Sequence, residues 1–196
     1  MAAAPGTRIE WLTAAGRLVA IEPELAEVSA HSVQLAAGYN EPENAQLMGH
    51  VEPMSAAEVV EHYEAMFAEG ARPFLLYLER ELVGDADLRG VRDGSAEFAF
   101  MIAARNHQGK GLGTKFALMV HAFAFSSLSL QRVYASIVPR NRASRRVFEK
   151  LGYTVDNSAE ARSFADEPDD VTMAIDRATF ERSHAAELAQ VRITLR

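Results

Sequence analysis

The chain has 196 residues, of which 48% are apolar and 24% charged, a length and balance that suit one compact globular domain and exclude disorder for most of it. Its 20 basic and 27 acidic side chains leave a formal charge of −7 and a pI of about 5.4, opposite to the clustered positive charge that displaces counterions from nucleic acid, so nucleic acid is excluded as the main partner. With no cysteine, the chain has no disulfide, thiolate nucleophile or cysteine-bound zinc, which fits a reducing compartment.

Residues 1–16 (MAAAPGTRIEWLTAAG) lack the basic start and long apolar core of a secretory signal, and are expected to form a flexible leading segment of a cytoplasmic protein. Residues 17–21 (RLVAI) read as a short strand, and Pro23-Glu24 as the start of a helix running to about residue 37. Residues 38–53, with two each of Pro, Gly and Asn, read as an irregular connection. Ser55 followed by Glu58 has capping-box spacing and opens a helix with Val59, Tyr63 and Met66 on one face, ended by Gly70.

Three strands follow at 74–78, 81–88 and 97–102, with Gly90 and Asp93-Gly94 turning between the last two. Next come a glycine-rich segment and a stretch without formal charge, 116–131. That stretch is too short for a bilayer and carries His121 and three serines, so it reads as a buried helix and no membrane partner is expected. A strand at 133–138, a helix at 143–151 stopped by Gly152, and strands at 153–155 and 171–175 complete the sheet. Residues 177–196 carry Phe180, Leu188, Val191 and Leu195 as an imperfect helical stripe, expected to cover the sheet or to pair two subunits as a homodimer. Hairpin-linked strands followed by strand-helix-strand units imply an α/β fold with one mixed sheet, antiparallel first and parallel through its middle, flanked by helices, in a single domain over 1–196.

The chemistry concentrates in residues 105–114 (RNHQGKGLGT), between a strand and an apolar helix. Gly109, Gly111 and Gly113 permit tight turns and close backbone approach to a ligand, and the helix start leaves N–H groups unpaired. With the helix dipole and Lys110, these donors suit a pyrophosphate. A glycine-rich turn without a ligand is the alternative for the glycines alone. A Walker loop fits poorly, because Lys115 follows Thr114, and so does a dinucleotide fingerprint, because the spacing is Gly-x-Gly-x-Gly.

Gln108-x-x-Gly111-x-Gly113 resembles the acyl-CoA pyrophosphate loop of the GNAT superfamily of N-acetyltransferases, and residues 139–153 (PRNRASRRVFEKLGY) resemble that family's Asn-x-x-Ser helix with its terminal Leu-Gly-Tyr. The resemblance implies a GNAT-like sheet with a splayed parallel pair in its middle and acetyl-CoA as co-substrate. It implies that Met101, Ile102 and Ala103 face the pantetheine arm, with the register open by one residue. Gln108, Gly109, Lys110, Gly111, Leu112, Gly113 and Thr114 would hold the diphosphate, with Asn141 on the pantetheine arm and Ser144 one turn along the helix.

Acyl transfer to an amine needs a neutral amine, donors for the oxyanion and stabilisation of the leaving thiolate. An amine of pKa about 10.4 is neutral in only about one molecule in a thousand near pH 7. By resemblance Glu97 is the base, with a solvated strand-edge carboxylate as the alternative. The family's other acid-base pair falls on Ser136 and Phe148 and is missing, which favours the branch resembling ribosomal-protein N-terminal acetyltransferases, where the serine at Ser144 hydrogen-bonds the CoA sulfur. A helix-cap serine is the alternative, with Tyr134 and Tyr153 as reserve donors. The acceptor, a peptide or small-molecule primary amine, is expected between Tyr39, Asn40, Glu41, Glu43, His62, Tyr63 and the acidic residues 156–170, a segment that also reads as a solvated loop. No metal is expected, because the histidines show no ligand spacing. A non-catalytic CoA-binding or interaction module is the competing reading, motivated by the missing pair.

Overall fold

The computed structural model describes residues 6–49 and 52–195. Its strands are β1 (Thr7–Thr13), β2 (Gly16–Ile21), β3 (Arg72–Leu78), β4 (Glu81–Arg92), β5 (Ser95–Ile102), β6 (Arg132–Ile137), β7 (Thr154–Val155), β8 (Val171–Asp176) and β9 (Arg192–Leu195). They form one sheet in the order β7-β8-β6-β5-β4-β3-β2-β1-β9. The helices are α1 (Leu25–Tyr39), α2 (Pro42–Met48), α3 (Ala56–Ala68), α4 (Leu112–Ser126), α5 (Arg142–Leu151), α6 (Ala159–Arg162), α7 (Arg177–Ser183) and α8 (Ala185–Leu188).

Local chemistry sets several of these boundaries. Glu24 and Glu27 make a reciprocal capping box at α1, and Ser55 with Glu58 does the same at α3. Gly152, in the left-handed region, closes α5. α4 is buried on nearly every side and lies against one face of the sheet, where Phe74, Phe98, Phe116, Phe123, Val133 and Phe148 form the main core. On the opposite face α1 and α3 pack Val28, Leu35, Tyr39, Val59 and Tyr63 against Leu75, Leu82 and Met101. Both faces of the central strands are therefore covered.

Three expectations are revised. Residues 7–13 of the supposedly flexible leader are β1, because Thr7, Ile9 and Trp11 alternate into the core and the strand pairs with both β2 and β9; residues 1–5 lie outside the described residues. The irregular connection contains α2, started by Pro42 at its first turn, capped by Glu41 and ended by left-handed Gly49; His50 and Val51 lie outside the described residues. The expected splayed parallel pair is β5–β6, joined by three residue pairs within an otherwise antiparallel sheet in which β6 also pairs with β8. The C-terminal helix over 177–196 is instead α7, α8 and an edge strand, with Arg196 outside the described residues. Phe180 is buried while Leu188 and Val191 pack on the same core, leaving Leu195 72% exposed, so most of the stripe is used internally.

His121 is fully buried inside α4 among Phe98, Phe125 and Phe180. The Ala117 carbonyl 2.6 Å from Nδ1 accepts only, so Nδ1 carries the proton and Nε2 accepts from the Tyr153 hydroxyl at 2.5 Å. Burial lowers the His121 pKa from 6.5 to about 4. Between those values the unfolded chain binds a proton that the folded chain does not. The stability contributed by neutral His121 is full above about pH 6.5 and is lost towards pH 4, by about 3 kcal/mol. The double substitution His121→Leu/Tyr153→Phe removes both polar partners together. In urea unfolding across that range it should lose less stability than the parent by about that amount.

Candidate active site

β5 and β6 diverge at the centre of the sheet. Their ladder joins Ser95, Ala96 and Glu97 to Arg132, Val133 and Tyr134 and then stops, although β5 runs on to Ile102 and β6 to Ile137. On its other edge β5 stays paired with β4 as far as Ile102. Ala103 N–H donates to Val83 O at 2.8 Å across that edge. Strand alternation therefore turns the main-chain groups of Phe100 and Ile102 towards the gap, and those of Met101 and Ala103 towards β4. Gly84 permits the close approach, since a Cβ there would stand 1.9 Å from Met101 O.

The glycine segment lies beyond the end of β5. After a short 3-10 turn, Arg105–His107, the Gln108 amide donates to Ile102 O at 2.8 Å and to Asn44 Oδ1 at 2.9 Å, folding the loop back on the strand. Gly109 and Gly111 have φ of 71° and 78°, and a Cβ on either meets nothing within 4 Å. They form an open cradle that only glycine enters without strain. Gly111 is the N-cap of α4 and brings no side-chain cap, so the N–H groups of Leu112, Gly113 and Thr114 face outward unpaired. Gly113 serves packing instead, its missing Cβ lying 2.9 Å from the Phe100 ring. Lys110 is exposed and Lys115 half-buried beside this mouth. An anionic diphosphate fits these donors.

Across the gap, Asn141 Oδ1 caps α5 by accepting the Ser144 N–H at 3.0 Å, while its Nδ2 donates to Leu47 O at 3.1 Å. The Ser144 hydroxyl, half-buried on the first turn of α5, has no hydrogen-bond partner among the described residues.

At the fork sits Glu97, 4% exposed. Opposite it on β4, Arg89 donates to Asp87 Oδ1 at 3.0 Å and lies 3.7 Å from both Glu97 Oε2 and Asp166 Oδ1. Burial drives the Glu97 pKa to about 8; Arg89 opposes the shift, and the carboxylates of Asp166 and Asp87 add to it. Asp87 is raised by burial as well, against the pull of Arg89.

The family described as Acetyltransferase (GNAT) domain matches residues 23–154. The chain belongs to the GNAT acetyltransferases. The probable N-acetyltransferase YjcK of Bacillus subtilis is 36% identical over 74 residues, 37% of this chain and 41% of that protein, so the match spans under half of the Bacillus relative. The spermidine N(1)-acetyltransferase of Escherichia coli K12 is 28% identical over 142 residues, 65% of this chain and 76% of that protein. The structure of Mycobacterium smegmatis RimJ in complex with CoA-disulfide superposes with a TM-score of 0.69 at 20% identity, covering 96% of this chain and 97% of that one.

Within this GNAT frame Glu97 stands where the β5–β6 gap opens, the glycine loop follows the far end of β5, and Asn141 and Ser144 lie at the start of α5, after β6. Ser136, at the position of the missing family glutamate, donates to Asp170 Oδ2 at 2.7 Å and accepts the Asp166 N–H at 3.1 Å, anchoring the acidic loop. Phe148 is core, edge-on to Phe98 and Phe100. Both reserve tyrosines are otherwise engaged: Tyr153 donates to His121, with the Glu97 carboxylate near enough to raise its pKa further, and Tyr134 stacks on Phe164. Of the acidic loop only Asp166 is drawn to Arg89 and Glu97, while Asp156 pairs with Arg132 at 2.7 Å and Asp170 with Ser136.

The expected acceptor wall also divides. Tyr39 and Tyr63 are buried and both hydroxyls donate to Asp85 Oδ2. Burial lifts the pKa of that carboxyl to about 6, and the two hydroxyls hold it from rising further. Asp85 was not singled out from sequence, although Asp85 and Asp87 in an otherwise strand-like run were the signal. Asn40 exchanges two hydrogen bonds with the backbone of Met54, and Glu41 and Glu43 pair with Arg105. His62 is exposed on α3 and acts on Asp87 through its charge. Among the described residues there is no cluster of three His, Asp or Glu able to hold a metal, and no helix is long and apolar enough to cross a membrane. Because Asn141 both caps α5 and ties it to α2, Asn141→Ala should lower stability by about 1 kcal/mol or somewhat more, measured as a lower urea midpoint with unchanged slope.

Proposed function

We propose that this GNAT enzyme transfers the acetyl group of acetyl-CoA to a primary amine of a positively charged acceptor, by direct attack within a ternary complex. The observation that carries the reading is Glu97, a buried carboxyl at the fork where β5 parts from β6, on the strand that leads to the open glycine loop. Asp87, Glu97 and Asp166 surround one guanidinium, and an incoming ammonium would meet the same excess of negative charge. The relationship to a spermidine N(1)-acetyltransferase supports a small polycationic acceptor over a peptide N-terminus.

In this reading the main-chain N–H groups at the mouth of α4 bind the diphosphate, and those on the open edge of β5 face the pantetheine arm. Glu97, ionised, takes the proton from the acceptor ammonium directly or through one water. The freed amine attacks the thioester carbonyl, a C–N bond forms as the C–S bond breaks, the second proton of the attacking nitrogen passes through water to the departing sulfur, and Ser144 hydrogen-bonds that sulfur as it leaves. A base of pKa about 8 lies close enough to an amine's value for proton transfer to be efficient near neutrality.

Glu97 is protonated below about pH 8 and a base above it, so kcat/KM should rise with pH through that value. Glu97→Gln should lower kcat/KM by about 10²–10³-fold and flatten this limb, with CoA affinity unchanged. The assay is thiol release from acetyl-CoA with spermidine, an aminoglycoside and a neutral-side-chain peptide as acceptors; turnover confined to the peptide would overturn the charged-acceptor reading. Gly111→Glu puts a carboxylate into the open cradle and should weaken CoA binding at least about tenfold by calorimetry, in a variant whose circular dichroism matches the parent.

A further inference from the structure

α2 spans the gap from one side to the other. At its N-terminal end Asn44 is 4% exposed and its side-chain amide is fully used. Nδ2 donates to Gly38 O at 2.9 Å, the last turn of α1, and to Ala103 O at 3.2 Å, just beyond β5. Oδ1 accepts from Gln108 Nε2 at 2.9 Å, the first residue of the glycine loop pattern. At the other end of α2, Gln46 O accepts the Arg140 guanidinium at 2.6 Å and Leu47 O accepts Asn141 Nδ2, both at the entrance to α5. A seven-residue helix thus bridges the β5 arm and the β6–α5 arm, and Asn44 is its link to the loop.

We infer that Asn44 is a positioning residue for the acyl-donor site: it holds Gln108, and through Gln108 the glycine loop, in register with the α1–α2 wall on the acceptor side of the gap. The inference rests on the reading of the loop as the CoA site. Gln108 has two acceptors for its amide hydrogens, Ile102 O and Asn44 Oδ1. Without the second, the side chain keeps one tether and the loop loses its fixed distance from α2. A buried amide that satisfies three groups on three separate segments also has no alternative geometry, since moving it orphans a buried carbonyl. Glu41 and Glu43 pair with Arg105 on the outer surface of the same helix and add a weaker, solvent-screened tie to the turn before the loop.

The test is a double-mutant cycle read by calorimetry with CoA on the full chain. Asn44→Ala and Gln108→Ala should each raise the CoA Kd about 5- to 10-fold. The double variant should be no weaker than the weaker single, because both remove one linkage. A purely structural role predicts effects that multiply, and that result, or an Asn44→Ala Kd within twofold of the parent, overturns the inference. If Asn44→Ala fails to fold, amide hydrogen exchange on the parent decides. Saturating CoA should slow exchange at residues 44–48 together with 108–114, and protection of the loop without α2 overturns the coupling. A parent chain that binds no CoA overturns the functional reading and this inference with it, whereas binding by the parent that Asn44→Ala leaves intact overturns only the inference.

Discussion

The functional architecture depends on a ladder that ends early. β5 and β6 share three residue pairs and then separate, while each keeps a partner on its other edge, β4 for β5 and β8 for β6. Neither strand is free to swing back and close the gap without breaking a ladder it already has. A buried strand edge with unpaired donors and acceptors is unfavourable unless something supplies their partners. The Gln108 amide caps Ile102 O, and an extended amide-bearing ligand suits the remainder. The same divergence sets where the other parts lie, since Glu97 is the last paired residue and the open mouth of α4 follows the end of the strand.

Charge is distributed by the period of the strand. Asp85, Asp87 and Arg89 alternate onto one face of β4, opposite Met101, Ala99 and Glu97 on β5. The three buried carboxyls have different partners and therefore different acidity. Asp85 has two tyrosine hydroxyls, Asp87 has the nearer guanidinium contact at 3.0 Å, and Glu97 has the longer one at 3.7 Å with a hydrogen bond from the Ser136 backbone. Burial then dominates at Glu97 and leaves it the least acidic of those with a stated value, about 8 against about 6 for Asp85. A group poised in this way at the fork is suited to exchanging a proton with an amine, and the two more firmly partnered carboxyls supply negative field without competing for that role.

Short-range chemistry carried much of the legible information. The capping residues of α1 and α3, the left-handed glycines of the loop and the Gly152 stop depend on neighbours within about four residues, so they can be read directly along the chain. The resemblance to GNAT enzymes likewise rested on two contiguous motifs, and Glu97 and Ser144 were placed relative to them. What went unread depended on distant partners. β1 needed β2 and β9 to become a strand, and the tail needed β1 before residues 192–195 would extend rather than coil.

The residues themselves therefore determined the composition class, the glycine cradle at a helix mouth and the family, because backbone preferences and motif spacing are local properties. Tertiary structure decided the acidity of Glu97, the pairing of Asp85 with Tyr39 and Tyr63, the withdrawal of Tyr153 into a buried pair with His121, and the bridge made by α2 through Asn44. Each of these is set by desolvation or by a hydrogen bond between segments that are far apart in the chain, and neither is visible until the fold has brought those segments together.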